Sequence, residues 1–198
     1  MTEIYLIRHT QAEGNLYRMM QGHWDGGVTP LGRKQIDALA ERMRSEKVDI
    51  VYSSDMYRTK ATAEAITRYH HIPLMIDSRL REINMGSWEA KFFGNVCHQF
   101  PEKAQQFLSC PQFWQVEGSE NYEQVSNRAY PALLEIAKAN DGKATAVVSH
   151  GVTIRCLLSS ALNIPLERLE ELPICKNTSI SKLIYENGNF KAEYINDF

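Results

Sequence analysis

Ala144-Thr145-Ala146-Val147-Val148-Ser149, followed at once by His150-Gly151, is the stretch that decides the fold. Six uncharged residues with adjacent valines read as a strand buried on both faces, the habit of parallel sheets covered by helices. Just upstream, Asp141-Gly142 ends a helix that begins at Asn121, where Gln124 completes a capping box, and that runs to about Ala139. Just downstream, Val152 to Ala161 reads as another helix. The same rhythm holds in the first third of the chain. Glu3 to Arg8 is a strand; Thr29-Pro30 caps a helix striped by Leu31, Ile36, Leu39, Ala40 and Met43; Val48 to Ser53 is a strand, Tyr57 to Tyr69 a helix and Pro73 to Ile76 a short strand. Near the C-terminus, Ile180–Tyr185 and Phe190–Ile195 flank Asn187-Gly188, a hairpin signal. The expectation is an α/β three-layer sandwich: a mostly parallel central sheet, helices on both faces and one antiparallel edge hairpin strand.

Between Met85 and Asn121 the alternation dissolves into an aromatic-rich stretch carrying Trp88, Phe92, Phe93, Phe100, Phe107, Phe113 and Trp114. It reads as a small helical cap, about 85–121, inserted into a single domain spanning 1–198. Length and composition agree: 198 residues, 43% hydrophobic and 23% charged, exclude a disordered, collagenous or coiled-coil chain. With 22 Lys+Arg against 24 Asp+Glu, the chain lacks the basic field of a dedicated nucleic-acid binder. No apolar run approaches the ~20 residues that span a bilayer, and no signal peptide is expected at the N-terminus. Cys97, Cys110, Cys156 and Cys175 form no C-x-x-C pair, so reduced thiols in a cytoplasmic protein are expected.

In parallel sheets ligands bind beyond the carboxyl ends of the strands. Arg8-His9 follows the first strand, Ser53-Ser54-Asp55 with Arg58 the second, Leu80-Arg81-Glu82 the third and His150-Gly151 the fourth. Taken singly, His150 could be a buried turn residue and Arg58 an exposed helix residue. Taken together, two imidazoles, two guanidiniums and a carboxyl on one rim suit a phosphoryl group. Arginine forks match phosphate oxygens, a helix N-terminus adds donors, a neutral imidazole can attack phosphorus, and a carboxylic acid can protonate the departing alkoxide. His23, His70, His71 and His98 lack such company and read as loop or surface residues.

At these positions the sequence resembles the histidine phosphatase superfamily, which includes the cofactor-dependent phosphoglycerate mutases. The resemblance rests on Leu6-Ile7-Arg8-His9 with Asn15, on Gln21-Gly22 and Thr29-Pro30-Leu31-Gly32, on Ser53-Ser54-Asp55 through Arg58 to Ala63, on Leu80 to Glu89, and on Val148-Ser149-His150-Gly151. These cover nearly the whole chain in order. The resemblance implies that His9 becomes phosphohistidine, that Arg8, Arg58 and His150 hold the phosphoryl oxygens, that Asn15 donates to them or to the substrate, and that Glu82 is the acid/base. It also implies that Gln21 and Gly22 line the entrance, and that no metal or organic cofactor is needed. Where the family usually has glycine and then an acidic residue after the histidine, this chain has Thr10 and Gln11. Thr10 is expected in an ordinary backbone conformation with its hydroxyl near the pocket.

A mutase must also hold a second anionic group. From Met85 to Asn127 the only lysines or arginines are Lys91 and Lys103, against five glutamates. That balance, and the run from Glu82 to Glu89, resemble the broad-specificity phosphatase branch. The expected activity is hydrolysis of small phosphate monoesters, with Trp24, Trp88, Phe92 and Phe93 as candidate walls for an apolar leaving group and Gly151 beside the anion. The alternatives are a phosphoglycerate mutase or a non-catalytic phospho-ligand-binding module of the same fold. The expected partner is a small molecule, with neither nucleic acid nor membrane, and a homodimer is left open.

Overall fold

The computed structural model describes residues 1–198. In chain order the elements are β1 (Thr2–Arg8), the single turn α1 (Glu13–Leu16), α2 (Pro30–Met43), β2 (Ile50–Ser53), α3 (Tyr57–His70), β3 (Leu74–Ile76), α4 (Phe93–Gln99), α5 (Pro101–Ser109), α6 (Tyr122–Ala139), β4 (Ala144–Ser149), α7 (Gly151–Ala161), β5 (Ile180–Glu186) and β6 (Asn189–Asp197). The six strands form one sheet in the order β3-β2-β4-β1-β5-β6. The first four run parallel, and β5 alone runs against the rest, so the mixed α/β sheet expected from the sequence is observed.

Side-chain parity along the strands explains the layering. Ile4 and Leu6 of β1 and Val147 of β4 face one apolar cluster, with Val125, Ala129, Ala132, Leu133, Ile136 and Ala137 of α6 and Ile154, Leu157 and Leu158 of α7. Tyr5, Ile7, Ala144, Ala146 and Val148 face the other, with Leu39 and Met43 of α2 and Ala63 and Ile66 of α3. Alternate residues of one strand thus serve opposite layers, and all six residues of β4 are buried.

Local signals place the helix starts. The Thr29 side chain accepts from Gly32 N–H at 3.0 Å with Pro30 in the first turn, and Asn121 and Gln124 exchange the two capping-box bonds at 2.8 Å each. Asn187 and Gly188 both take positive φ, +51° and +83°, as the tight β5–β6 turn requires.

The inserted segment consists of α4, α5 and two short 3₁₀ turns, Gly86–Trp88 and Pro111–Phe113. Its rings pack on one another and join the α6–α7 cluster: Trp88 lies 5.3 Å from Trp114 and 6.3 Å from Phe107, centroid to centroid. None of the four cysteines is in a disulfide, and no helix is long and apolar enough to cross a membrane.

Candidate active site

Strand register assembles the site. Arg8 pairs with Ser149 and Ser53 with Val148, so the residues that leave β1, β2 and β4 emerge side by side. His9 and His150 are consequently neighbours, with ring centroids 5.2 Å apart and both rings buried. A cavity of about 190 Å³ brings together Arg8, His9, Asn15, Gln21, Gly22, Arg58 and Glu82, walled by Met19, Met20, Ile83, Met85, Phe107 and Val152.

His9 Nδ1 lies 2.6 Å from the Thr10 carbonyl. A carbonyl only accepts, so Nδ1 carries the proton and Nε2 is left as the lone-pair nitrogen. Burial lowers the His9 pKa well below the usual 6.5, and the positive charges of Arg58 and Arg8 lower it further. His150 is lowered for the same reasons, burial first, then Arg58 and His9. Two neutral imidazoles at neutral pH are the result.

Both guanidiniums are anchored by main chain. Arg58, fully buried in the first turn of α3, donates to the carbonyls of Gly22 (2.8 Å) and Trp24 (3.0 Å) and pairs with Asp25. Arg8 donates to the Cys175 carbonyl. Arg8 Nε, Arg58 Nε and His150 Nδ1 are nevertheless buried without a partner in the protein. Buried polar atoms are rarely left unpaired; Arg8 and Arg58 line the cavity and His150 packs against His9 beside it, a charge arrangement suited to an anion. His150 Nε2 meets Ser54 Oγ at 2.8 Å, and Ser54 Oγ meets Thr59 Oγ1 at 2.7 Å.

Glu82 sits at the N-terminus of α7. Its Oε1 accepts from the backbone N–H of Ile83 (3.0 Å) and Thr153 (3.1 Å), and its Oε2 accepts from Val152 N–H at 3.2 Å. Asn15 Oδ1 accepts from Ala12 N–H at 3.0 Å, and Asn15 lines the cavity. Gly22 adopts φ +50°, and a Cβ there would fall 2.4 Å from Glu89 Oε1, so glycine is required at this turn. Gly151 lies against Arg8: a Cβ on it would stand 3.4 Å from Arg8 Nε.

Several expectations are corrected. Trp88 is 1% exposed inside the cap's aromatic cluster and is no pocket wall. Trp24 enters through its main-chain carbonyl, while its indole packs over Gly26. Phe92 is half exposed and bridges to Met19, and Phe93 packs on Phe107. Thr10 has ordinary backbone geometry, but its hydroxyl turns toward α2 and donates to the Gly32 carbonyl at 2.6 Å, not toward the cavity. Nor is His23 a bystander, since its Nε2 lies 3.0 Å from the Glu82 carbonyl. Residues the sequence did not flag also matter. Asn177 donates to the His9 carbonyl, and Arg128 gathers the backbone around Glu82. Both act across more than 40 residues, where no local pattern announces them.

A second lobe of about 270 Å³ adjoins this cavity, sharing Arg8, Glu82, Phe107 and Val152 with it and bounded further by Leu108, Tyr122, Gly151, Arg155 and Ile174. The cap lysines lie elsewhere, on an outer groove beside Phe100 and Phe113.

A family model defines the class of protein: the chain belongs to the histidine phosphatase superfamily (branch 1), matched over residues 4–198. It is 32% identical over 192 residues to a protein from Salmonella choleraesuis named probable phosphoglycerate mutase GpmB, covering 97% of this chain and 89% of that one. Bacillus stearothermophilus YhfR superposes with a TM-score of 0.95 at 29% identity, over 100% of this chain and 98% of that one. A mycobacterial glucosyl-3-phosphoglycerate phosphatase solved with VO3 superposes with a TM-score of 0.92 at 25% identity, over 99% of each chain.

Proposed function

We propose that this protein hydrolyses small phosphate monoesters through a phosphohistidine formed on His9, with Glu82 as acid and then base. The observation that carries the reading is the buried His9–His150 pair, 5.2 Å apart, with Arg8 and Arg58 lining the same cavity. His9 Nε2 attacks phosphorus. As the P–O bond breaks, protonated Glu82 gives its proton to the leaving oxygen; Oε2, with one donor against it, has acceptor capacity to spare. Water then attacks the phosphohistidine, Glu82 takes its proton, and the P–N bond breaks to release phosphate. Arg8 and Arg58 supply positive charge around the transferring group, the role a metal ion takes in other phosphoryl-transfer enzymes. For His150 Nδ1 to donate to the phosphoryl oxygens, Nε2 must accept from Ser54 Oγ.

Hydrolysis is preferred to mutase chemistry because the lobe beyond the phosphoryl site is mainly apolar. Its cation other than Arg8, Arg155, already donates to the Leu169 and Leu172 carbonyls. A mutase reading draws on the Salmonella relative and would use Arg155 to hold a second anion. The purified protein, given p-nitrophenyl phosphate or 3-phosphoglycerate without added metal, is expected to release inorganic phosphate, unaffected by EDTA. Rapid isomerisation of 3-phosphoglycerate with little phosphate release would favour the mutase.

A further inference from the structure

The turn that carries Glu82 is held by several side chains. Ser149 Oγ donates to the Leu80 carbonyl (2.8 Å), Thr153 Oγ1 donates to the Arg81 carbonyl (2.7 Å), and His23 Nε2 lies 3.0 Å from the Glu82 carbonyl. Arg128 makes the largest number of these contacts. Arg128, on the second turn of α6, spends all five of its N–H donors there. Nη1 donates to the carbonyls of Arg79 (2.7 Å) and Arg81 (2.9 Å), and Nη2 to the Glu82 carbonyl (2.9 Å) and Glu120 Oε2 (2.8 Å). Nε donates to Glu120 Oε1 at 2.7 Å. Glu120 is bound to the other side of Glu82: its Oε2 accepts from Asn84 N–H, and its own N–H donates to the Asn84 carbonyl. Residues 79–84 are thereby clamped between α6 and the segment that ends the cap. Both partners are only 22% exposed, which favours a fixed geometry over a fluctuating surface pair.

We infer that Arg128, with Glu120, is a positioning residue for the acid/base Glu82, acting through the main chain and touching no reacting atom. The inference rests on the reading of Glu82 as the acid. The carboxylate's own partners, the N–H groups of Ile83, Val152 and Thr153 and the Thr153 hydroxyl, orient the head of the side chain. The height of its backbone is set by contacts to the main chain of the turn, and the clamp supplies those at the carbonyls of Arg79, Arg81 and Glu82 beside the bonds from Ser149 and Thr153. A planar five-donor fork suits three carbonyls and a carboxylate, whereas lysine, with three donors on one atom, cannot reproduce it. Displacing a catalytic group by about 1 Å can cost on the order of 10²-fold.

Leaving-group dependence separates this role from general support of the fold. p-Nitrophenolate departs without a proton, whereas the alkoxide of 2-phenylethyl phosphate needs one, and both substrates carry a ring. In Arg128→Met, kcat/KM should fall about 10²-fold for 2-phenylethyl phosphate and less than about fivefold for p-nitrophenyl phosphate. Arg128→Lys should recover part of the loss, and Arg128→Met added to Glu82→Gln should cost nothing further on the alkyl substrate. Equal losses on both substrates, or additive losses with Glu82→Gln, would overturn the inference. Should Arg128→Met fail to fold, Glu120→Gln decides in the same way: a smaller loss selective for the alkyl ester supports the clamp, and an unselective or absent one rejects it. Glu82→Gln measured alone reports on the acid assignment itself. If it shows no selectivity for the alkyl ester, that assignment fails and the positioning role falls with it.

Discussion

The rim of the sheet and the cap are built on different principles. At the rim, Arg8 ends β1, and His9 and His150 directly follow β1 and β4. Arg58 and Glu82 come within six residues of the ends of β2 and β3, so parallel main-chain pairing dictates where the strands deliver them. In the cap, Trp88, Phe93, Phe107 and Trp114 pack ring on ring, and main-chain pairing between segments is limited to isolated bridges such as Met19–Phe92 and Met85–Ser119, with no continuous ladder to set the order of the rings. Backbone hydrogen bonding specifies position from sequence order. Aromatic packing specifies it only once all partners are in place. The clustering of the rim residues was therefore readable residue by residue, and the lining of the adjoining lobe was not.

The sharpest way to break this contrast is His9→Ala. Turnover is expected to fall by more than about 10⁴-fold, since the nucleophile is lost, while inorganic phosphate still binds Arg8 and Arg58; retained turnover would reject the nucleophile. Next, Trp88→Ala should destabilise the fold by about 3–5 kcal/mol by opening a cavity in the cap cluster, seen as a lower midpoint in urea. A change confined to KM, with stability intact, would return Trp88 to the pocket wall. A smaller effect is expected from removing the exposed lobe side chains Leu108 and Ile174 together. Changing both to Ser should raise KM for aryl phosphates about five- to tenfold, from roughly 1–1.5 kcal/mol of lost apolar contact, with a smaller rise for glycerol phosphate. Equal effects on both substrates would deny the lobe its role.

The gentlest test is pH. Burial and the neighbouring Arg58 hold His9 and His150 below the ordinary imidazole range. Their unfolded forms gain protons from about pH 6.5 downward, and the folded forms do not. The unfolded state then binds more protons, so stability is fully present above about pH 6.5 and declines as the pH falls below it. Denaturation midpoints at pH 7.5 and 5.5 should differ in that sense, and less so in His150→Gln. A flat profile would show both imidazoles titrating normally.

Most of the main chain was legible. Thr29-Pro30, Asn121 with Gln124, and Asn187-Gly188 carry their instructions within three or four residues, and the structure follows them. The five rim residues were found because each follows a strand, so reading the strands located the site. Thr10 shows the limit: its ordinary φ was foreseeable, but the direction of its hydroxyl depended on α2 lying close enough to offer the Gly32 carbonyl. Arg128 shows it more strongly. It sits among buried neighbours in α6, and its acceptors at positions 79, 81 and 82 are nearly 50 residues away.

The linear order of residues determined the alternation of strands and helices, the two-faced burial of the sheet and the chemical identity of the groups at its carboxyl edge. Those follow from short-range backbone preferences and side-chain parity. Tertiary structure decided which aromatic rings line the cavity and which nitrogen of His9 is free. It also decided which distant arginine steadies Glu82, because each of these depends on contacts between segments that meet only when the layers close.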